Sequence, residues 1–521
     1  RFVLHLYVMF LFYQNNFKTE RMIGMTTNSA TTPEAAGKQK RNLQWLWITL
    51  AFAAFFIITF LPNDGDLPVA GQRSLAILAF AIILWITEAV SYPVSSAMII
   101  GLITVSLGLA PSMEDPTELL TTSGALKLAL GGFSNSAVAL VAAALFLAAA
   151  MQVTNLHKRL ALLVLSLVGT KTKAIVAGAI IVSIILAFFV PSATARAGAV
   201  VPILLGMVAA FGLATNSRLG ALLIITAVQS VSIWNIGIKT GAAQNMVALN
   251  FIEEKFGVTV SWSEWFLYAA PFSILMSIAL FFIMITLIKP ETNEITGGKT
   301  LIKQQLADLG PLKASEVRLI IISIALLFFW STEGTLHPFD TTTVTIVAIA
   351  LLLTPKIGVY SWEEVQPLIP WGTIIVFAVG IALGTVLLNT DGAQWLSDAV
   401  FGSLGLDSMP LLATIALVTA FNIIVHLGFA SATSLASALI PVFIVLSMTI
   451  PADNIGFVLI QQFVISFGFL LPISAPQNML AYGTGAFTTK DFLKAGIPLT
   501  IIGYLLVLLL SATYWKWIGL L

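Results

Sequence analysis

Apolar runs close to the twenty residues that a helix needs to cross a bilayer recur along this chain. They cover 44–61, 75–91, 94–110, 133–152, 219–236, 265–288, 317–331, 341–354, 370–390, 455–473 and 497–518. Two further runs, 174–213 and 410–450, are interrupted midway by Pro191-Ser192-Ala193-Thr194 and by Ser431-Ala432-Thr433. Such a break predicts a helix–turn–helix that re-enters on the side it left, because irregular backbone at membrane depth survives only where protein or water covers it. Polar stretches at 26–43 and 289–316 predict a tail and a linker. Residues 1–14 are apolar but too short to span. They read as an N-terminal extension, with Met22 and Met25 as alternative starts, rather than a signal peptide, since no small-residue cleavage site follows closely.

The letters also repeat. PSATARAGAVVPI at 191–203 parallels ASATSLASALIPV at 430–442, and GAAQNMVA at 241–248 parallels SAPQNMLA at 474–481. An acidic–aromatic pair then precedes a proline by equal steps, in Glu264-Trp265…Pro271 and in Asp491-Phe492…Pro498. Three landmarks in one order predict two homologous halves. A tail at 1–43 and a first span at 44–68 precede them; the halves lie at 69–290 and 316–518, joined by a cytosolic linker at 291–315. Alternating the spans gathers Lys38, Arg41, Arg159, Lys171, Arg218 and Lys303 on one side, and Glu114, Glu253, Asp391 and Asp398 on the other. The positive-inside rule puts the N-terminus in the cytosol and the C-terminus outside. The hairpin at 174–213 then opens inward and that at 410–450 outward, the opposed sense of an inverted repeat.

Composition narrows the class. Only 9% of the residues are charged, against roughly a quarter in a soluble chain, too few to coat a water-facing surface. Lipid therefore surrounds much of the molecule, and a bacterial plasma membrane is the expected location. A net charge of +1 gives no basis for nucleic-acid binding. The absence of cysteine removes disulfides and thiolate chemistry, and four histidines at no ligand spacing offer no metal site. No nucleophile–base pair stands out, so the expectation is a carrier without cofactor rather than an enzyme.

A multivalent anion in low dielectric needs donors to replace its water. Ser192, Thr194, Ser431 and Thr433 bring hydroxyls to the breaks, and the half-helices beginning there offer unpaired amides at the positive end of their dipoles. Ala193 and Ala432 keep the turns narrow. Asn245 and Asn478 add amides at two later breaks, the second beside Ala475 and Pro476. Arg196, Lys239 and His426 are candidates to offset substrate charge. The alternatives are that the hydroxyls only cap helices, that Arg196 snorkels to the interface, that Lys239 binds a carbonyl and that His426 packs.

With WITEAVSYPVSSA at 85–97, YSWEEVQPLIPWG at 360–372 and the paired Ser-Ala-Thr triplets, nearly the whole chain from about residue 44 resembles the divalent anion/sodium symporter family of dicarboxylate and citrate carriers. The resemblance implies an all-α polytopic membrane transporter with about eleven transmembrane helices and two re-entrant hairpins. It also implies a homodimer, and a transport domain moving like an elevator against a scaffold. The family's triplets read Ser-Asn-Thr, and their asparagines help hold Na⁺ and substrate. Alanine replaces both here, as Ala193 and Ala432, and a methyl group cannot ligate Na⁺. With Arg196 beside the first triplet, the pattern resembles the exchanger branch, which includes 2-oxoglutarate/malate and citrate/succinate antiporters. The expectation is Na⁺-independent antiport of di- or tricarboxylates. A Na⁺-coupled symporter of the same fold is the alternative, and an anion channel fits the inverted repeat less well.

Overall fold

Helices account for the long elements of the chain, as the apolar runs predict. The computed structural model describes residues 33–521 apart from 64, 66, 293, 295–297, 407 and 451–453, and side chains of 33–42 and 298–299 are outside it. The expectations for residues 1–32 lie outside the described residues. Among the described residues, β-structure is limited to isolated bridges such as Pro111–Leu119.

The first span is α1 (Pro33–Phe60). The first half follows as α2 (Val69–Thr87), α3 (Tyr92–Leu102, prolonged by a π turn at Ile103–Leu107), α4 (Thr122–Gly131), α5 (Ser136–Thr154), α6 (Leu156–Leu167), α7 (Thr172–Phe189), α8 (Ala193–Ala210), α9 (Arg218–Gly237), α10 (Ala243–Phe256) and α11 (Trp262–Leu287). A linker helix, α12 (Gly298–Asp308), leads to the second half. That half comprises α13 (Ala314–Ser331), α14 (Thr341–Leu353), α15 (Trp362–Val365), α16 (Trp371–Asn389), α17 (Gly392–Phe401), α18 (Leu411–His426), α19 (Ala432–Thr449), α20 (Asn454–Ile465), α21 (Pro476–Tyr482) and α22 (Thr489–Ala512), before a final turn, α23 (Tyr514–Trp517).

Among the described residues, eleven helices are long and apolar enough to cross a membrane. They are not the eleven runs of the sequence reading: α7, α8 and α19 from the interrupted segments are among them, while α3, α14, α18 and α20 are shorter. The predicted span 455–473 is cut at Ile465: the chain turns irregular from Ser466, and Pro472 then opens a short 3₁₀ turn, Pro472–Ser474. Burial separates the roles of the spans. Every residue in the apolar window of α9 is buried, whereas Leu43–Phe60 of α1 buries only 11% of its residues and lies at the periphery, with Trp47, Ile48, Phe52 and Ile58 half-buried against the core.

Repetition of the letters extends to the backbone. Asn155 and Asp391, each with φ 58°, form left-handed joints that start the short amphipathic helices α6 and α17; Asn and Asp tolerate this conformation better than other side-chain-bearing residues. Ser192 (φ −139°, ψ 112°) and Ser431 (φ −136°, ψ 117°) start α8 and α19. Ala242 (φ −155°, ψ 144°) and Ala475 (φ −157°, ψ 144°) start α10 and α21. Capping boxes open α11 (Ser261 with Glu264) and α22 (Thr488 with Asp491). Four prolines each sit nine residues into a helix, from 193 to 202, 262 to 271, 432 to 441 and 489 to 498.

Contacts at the hairpin bases place them at opposite ends of the bundle. The base of α7/α8 meets the linker: the Thr172 hydroxyl donates to Thr292 O, and Glu291 accepts from the amides of Arg218 and Leu219. Burial alone pushes the Glu291 carboxyl up, but those amides and the Arg218 charge outweigh it and hold the group below the usual carboxylate range. Gln305 of α12 lies against Gly206. Arg159 of α6 clamps the same region, pairing with Glu316 at 2.7 Å and donating to Gly310 O. The start of α20, which follows the second hairpin, instead meets the C-terminus, where Gly456 backs onto Leu520 O so closely that a Cβ there would stand 1.7 Å away. Tyr514 and Trp515 donate to the carbonyls of Leu267 and Tyr268, at the end of α11 remote from the linker.

Candidate functional site

Both hairpin turns reach one cavity of about 620 Å³, within the range of roughly 300–1,000 Å³ that holds small ligands. Its inner wall is built twice over. In the first hairpin, Ser192 Oγ accepts from Ala195 N at 3.3 Å, and Arg196 N donates to Ser192 O. In the second, Ser431 Oγ accepts from Ser434 N at 3.3 Å, and Leu435 N donates to Ser431 O. Each serine thus caps its helix, which leaves the first amides, those of Ala193 and Thr194 and of Ala432 and Thr433, for something outside the helix. Capping and anion binding are compatible here. Ser192, Ala193, Thr194, Ser431, Ala432 and Thr433 all line the cavity.

The two later breaks supply the floor. Ala242 and Gln244 border the cavity from the first half, and Ala475, Pro476 and Gln477 from the second. The glutamines cross between halves: Gln244 Nε2 donates to Ser466 Oγ at 3.1 Å, and Gln477 Nε2 to Ser232 Oγ at 3.0 Å. Asn245 and Asn478 take another place than the sequence reading gave them. Both are fully buried behind the wall. Asn245 Nδ2 donates to Asn235 O at 2.8 Å and to the carbonyls of Ile238 and Lys239; Asn478 Nδ2 donates to Gly468 O at 2.8 Å. Each amide therefore holds a carbonyl ten residues upstream and fixes the shape of its break.

The cations divide. Lys239 is outside the cavity wall: its ammonium bonds Val260 O at 2.7 Å and lies 3.9 Å from Glu333. Arg196 is also behind the wall and fully buried. Its guanidinium donates to Asn235 Oδ1 and to Gly241 O, the latter at 3.0 Å, while Nε and Nη1 meet no protein acceptor. Asn235 itself faces the cavity, so the guanidinium acts one residue removed. His426 does line the cavity, with Nε2 3.3 Å from Ser474 O and a buried, unpartnered Nδ1. Gly241 and Ser474 are equivalent, each preceding the extended alanine of its break. Their carbonyls are thus occupied in parallel, by a guanidinium in one half and an imidazole in the other.

The remaining lining comes from α3, α5, α6, the approach to α16 and its first turn: Tyr92, Leu145, Gln152, His157, Leu368 and Thr373. Tyr92 approaches the Ser431 side chain at this edge of the cavity. Sequence reasoning missed this part of the lining, because its residues lie in ordinary helical runs with no break to mark them. Among the described residues, no Asp or Glu lines the cavity. Among the described residues, no cluster of three His, Asp or Glu side chains suits a metal ion. The chemistry offered is reversible capture of a small anion by hydroxyls, helix-start amides and amide side chains beside a buried cation.

The sodium:sulfate symporter transmembrane region family matches residues 42–521. A "membrane protein" of Cupriavidus necator is 49% identical over 92% of this chain and 94% of its own length. The citrate/succinate antiporter of Escherichia coli K12 is 26% identical, covering 89% of this chain and 96% of its own. Among solved structures, the Alcanivorax borkumensis YdaH transporter superposes with a TM-score of 0.53 at 14% identity, over 83% of this chain and 98% of that one; this likeness concerns the fold.

Proposed function

Because the chain belongs to the sodium:sulfate symporter family of divalent-anion transporters, we propose that it exchanges di- or tricarboxylate anions across the membrane without Na⁺. A relative named for citrate and succinate antiport supports the substrate class. The observation that carries the exchange reading is the occupancy of the Gly241 and Ser474 carbonyls by Arg196 and His426. A Na⁺ site needs several oxygens. Ala193 and Ala432 have no side-chain oxygen, and these two carbonyls already accept N–H donors.

A charge built into the protein behaves differently from a mobile one. A carrier that releases Na⁺ with its substrate returns neutral. A body holding Arg196, with no acidic partner bonded to it, would return empty with its charge uncompensated in low dielectric, at a cost of several kcal/mol. Return loaded with a second anion avoids that cost, so transport becomes exchange. In this reading the two hairpins and the two breaks move as one body past the rest, and two chains assemble as a homodimer in lipid.

Proteoliposomes test it. Uptake of labelled succinate or citrate is expected to require internal dicarboxylate, and to proceed equally in Na⁺ and in choline. Strong uptake into empty vesicles driven by a Na⁺ gradient would establish the symporter alternative instead.

A further inference from the structure

The cavity lining outside the hairpin turns and the breaks contains a donor–acceptor pair that the capture of carboxylates leaves unused. His157 is nine-tenths buried in the first turn of α6 and lines the cavity. Its Nδ1 lies 2.5 Å from Met151 O. A carbonyl only accepts, so Nδ1 carries the proton, and in the neutral ring Nε2 presents a bare lone pair. Among the described residues Nε2 meets no protein partner, and it is not sealed off. Burial holds the ring below the ordinary histidine range; the Met151 bond opposes this and the Lys158 charge adds to it. Gln152, five residues earlier at the end of α5, lines the same cavity, and its side-chain amide bonds no protein group among the described residues.

We propose that Nε2 of His157 and the side-chain amide of Gln152 form a specificity subsite for a hydroxyl group carried by the substrate between its carboxylates. The proposal rests on the carboxylate-exchange reading above and deepens it. A hydroxyl donates to Nε2 and accepts from Gln152, satisfying both. A keto oxygen accepts only, so it engages Gln152 and faces the lone pair of His157. A methylene engages neither. A carboxylate is repelled by the lone pair, so the subsite does not compete with the hairpin tips for the acid groups. The expected order among four-carbon diacids is hydroxy, then keto, then unsubstituted, because a site built to bond a hydroxyl leaves its own polar groups unpaired when that hydroxyl is missing.

The test measures how well malate, oxaloacetate and succinate compete with labelled-succinate exchange in proteoliposomes. Wild type is expected to favour malate over succinate by at least fivefold. In His157→Phe the ratio is expected to collapse toward one through loss of malate affinity. His157→Gln retains an acceptor oxygen and is expected to recover part of the preference, and Gln152→Leu, a second route should the Phe variant fold poorly, to lose it. A wild-type ratio near one overturns the proposal. So does an unchanged ratio in His157→Phe and Gln152→Leu, or an equal loss for all three acids, which would mark a merely structural role. Failure of the subsite leaves succinate exchange intact; failure of the underlying reading abolishes succinate exchange itself.

Discussion

Replacing Arg196 by glutamine tests the heart of the exchange reading. The guanidinium is fully buried and bonded to Asn235, whose side chain borders the cavity. Two hydrogen-bond lengths, about 6 Å, therefore separate its charge from a ligand on the far side of Asn235. At an effective dielectric of about 20, 332/(20 × 6) gives roughly 2.8 kcal/mol per unit of ligand charge. Water in the open cavity screens part of this, which leaves about 1.5–2.5 kcal/mol per carboxylate, or about ten- to seventyfold in affinity. Arg196→Gln is thus expected to weaken half-saturation for a dicarboxylate by at least tenfold. It is also expected to let the carrier return empty, so that uptake into unloaded vesicles appears. Stability provides the control. Nε and Nη1 lack acceptors, and an unsatisfied buried donor costs about 1–3 kcal/mol, so the variant should melt no earlier than wild type. A well-folded Arg196→Gln protein with unchanged affinity and strict exchange would refute the argument.

Two further predictions concern the breaks. Asn245 bonds three carbonyls and Asn478 one; at about 1 kcal/mol for a typical bond, Asn245→Ala should lower the melting temperature more than Asn478→Ala, and equal shifts by differential scanning fluorimetry would contradict this. A Cβ at Gly496 would stand 2.1 Å from Phe469 O, the carbonyl that accepts from Gln229. Gly496→Ala should therefore destabilise by about 1–3 kcal/mol through overpacking and impair anion binding, while Gly101→Ala, with nothing within 4 Å, should do neither; matching behaviour of the two would be the contrary result.

Legibility in the sequence followed the physics of each signal. Apolar length exposes most spans, and the Ser-Ala-Thr triplets expose both hairpin turns, because a polar break in an apolar run has few explanations. The amphipathic helices α6 and α17 escaped notice: at 12 and 10 residues they are too short for a span, and their polar faces read as loops. The shared QNM letters marked the second pair of breaks correctly but not the direction of the asparagines. An amide beside a break serves ligand or backbone equally well, and only the bonds to Asn235 O and Gly468 O decide. For Lys239 the carbonyl-binding alternative is the one observed, but its partners Val260 and Glu333 are distant in the chain, so the letters left both readings open. His157 carried no signal at all, because its tautomer follows from a carbonyl that the letters do not reveal.

The solitary guanidinium behind Asn235 has an electrical consequence. In the proposed exchange cycle Arg196 gives the vacant site one positive charge, and a seated dianion turns this into one negative charge, equal in size and opposite in sign. Membrane voltage then pulls vacant and occupied forms in contrary directions, by about 2.3 kcal/mol per 100 mV for a charge that crosses the full field. Swapping two dianions moves no net charge, so cycling is indifferent to voltage. Swapping a trianion for a dianion is not, and a cell's resting potential would then set which acid accumulates.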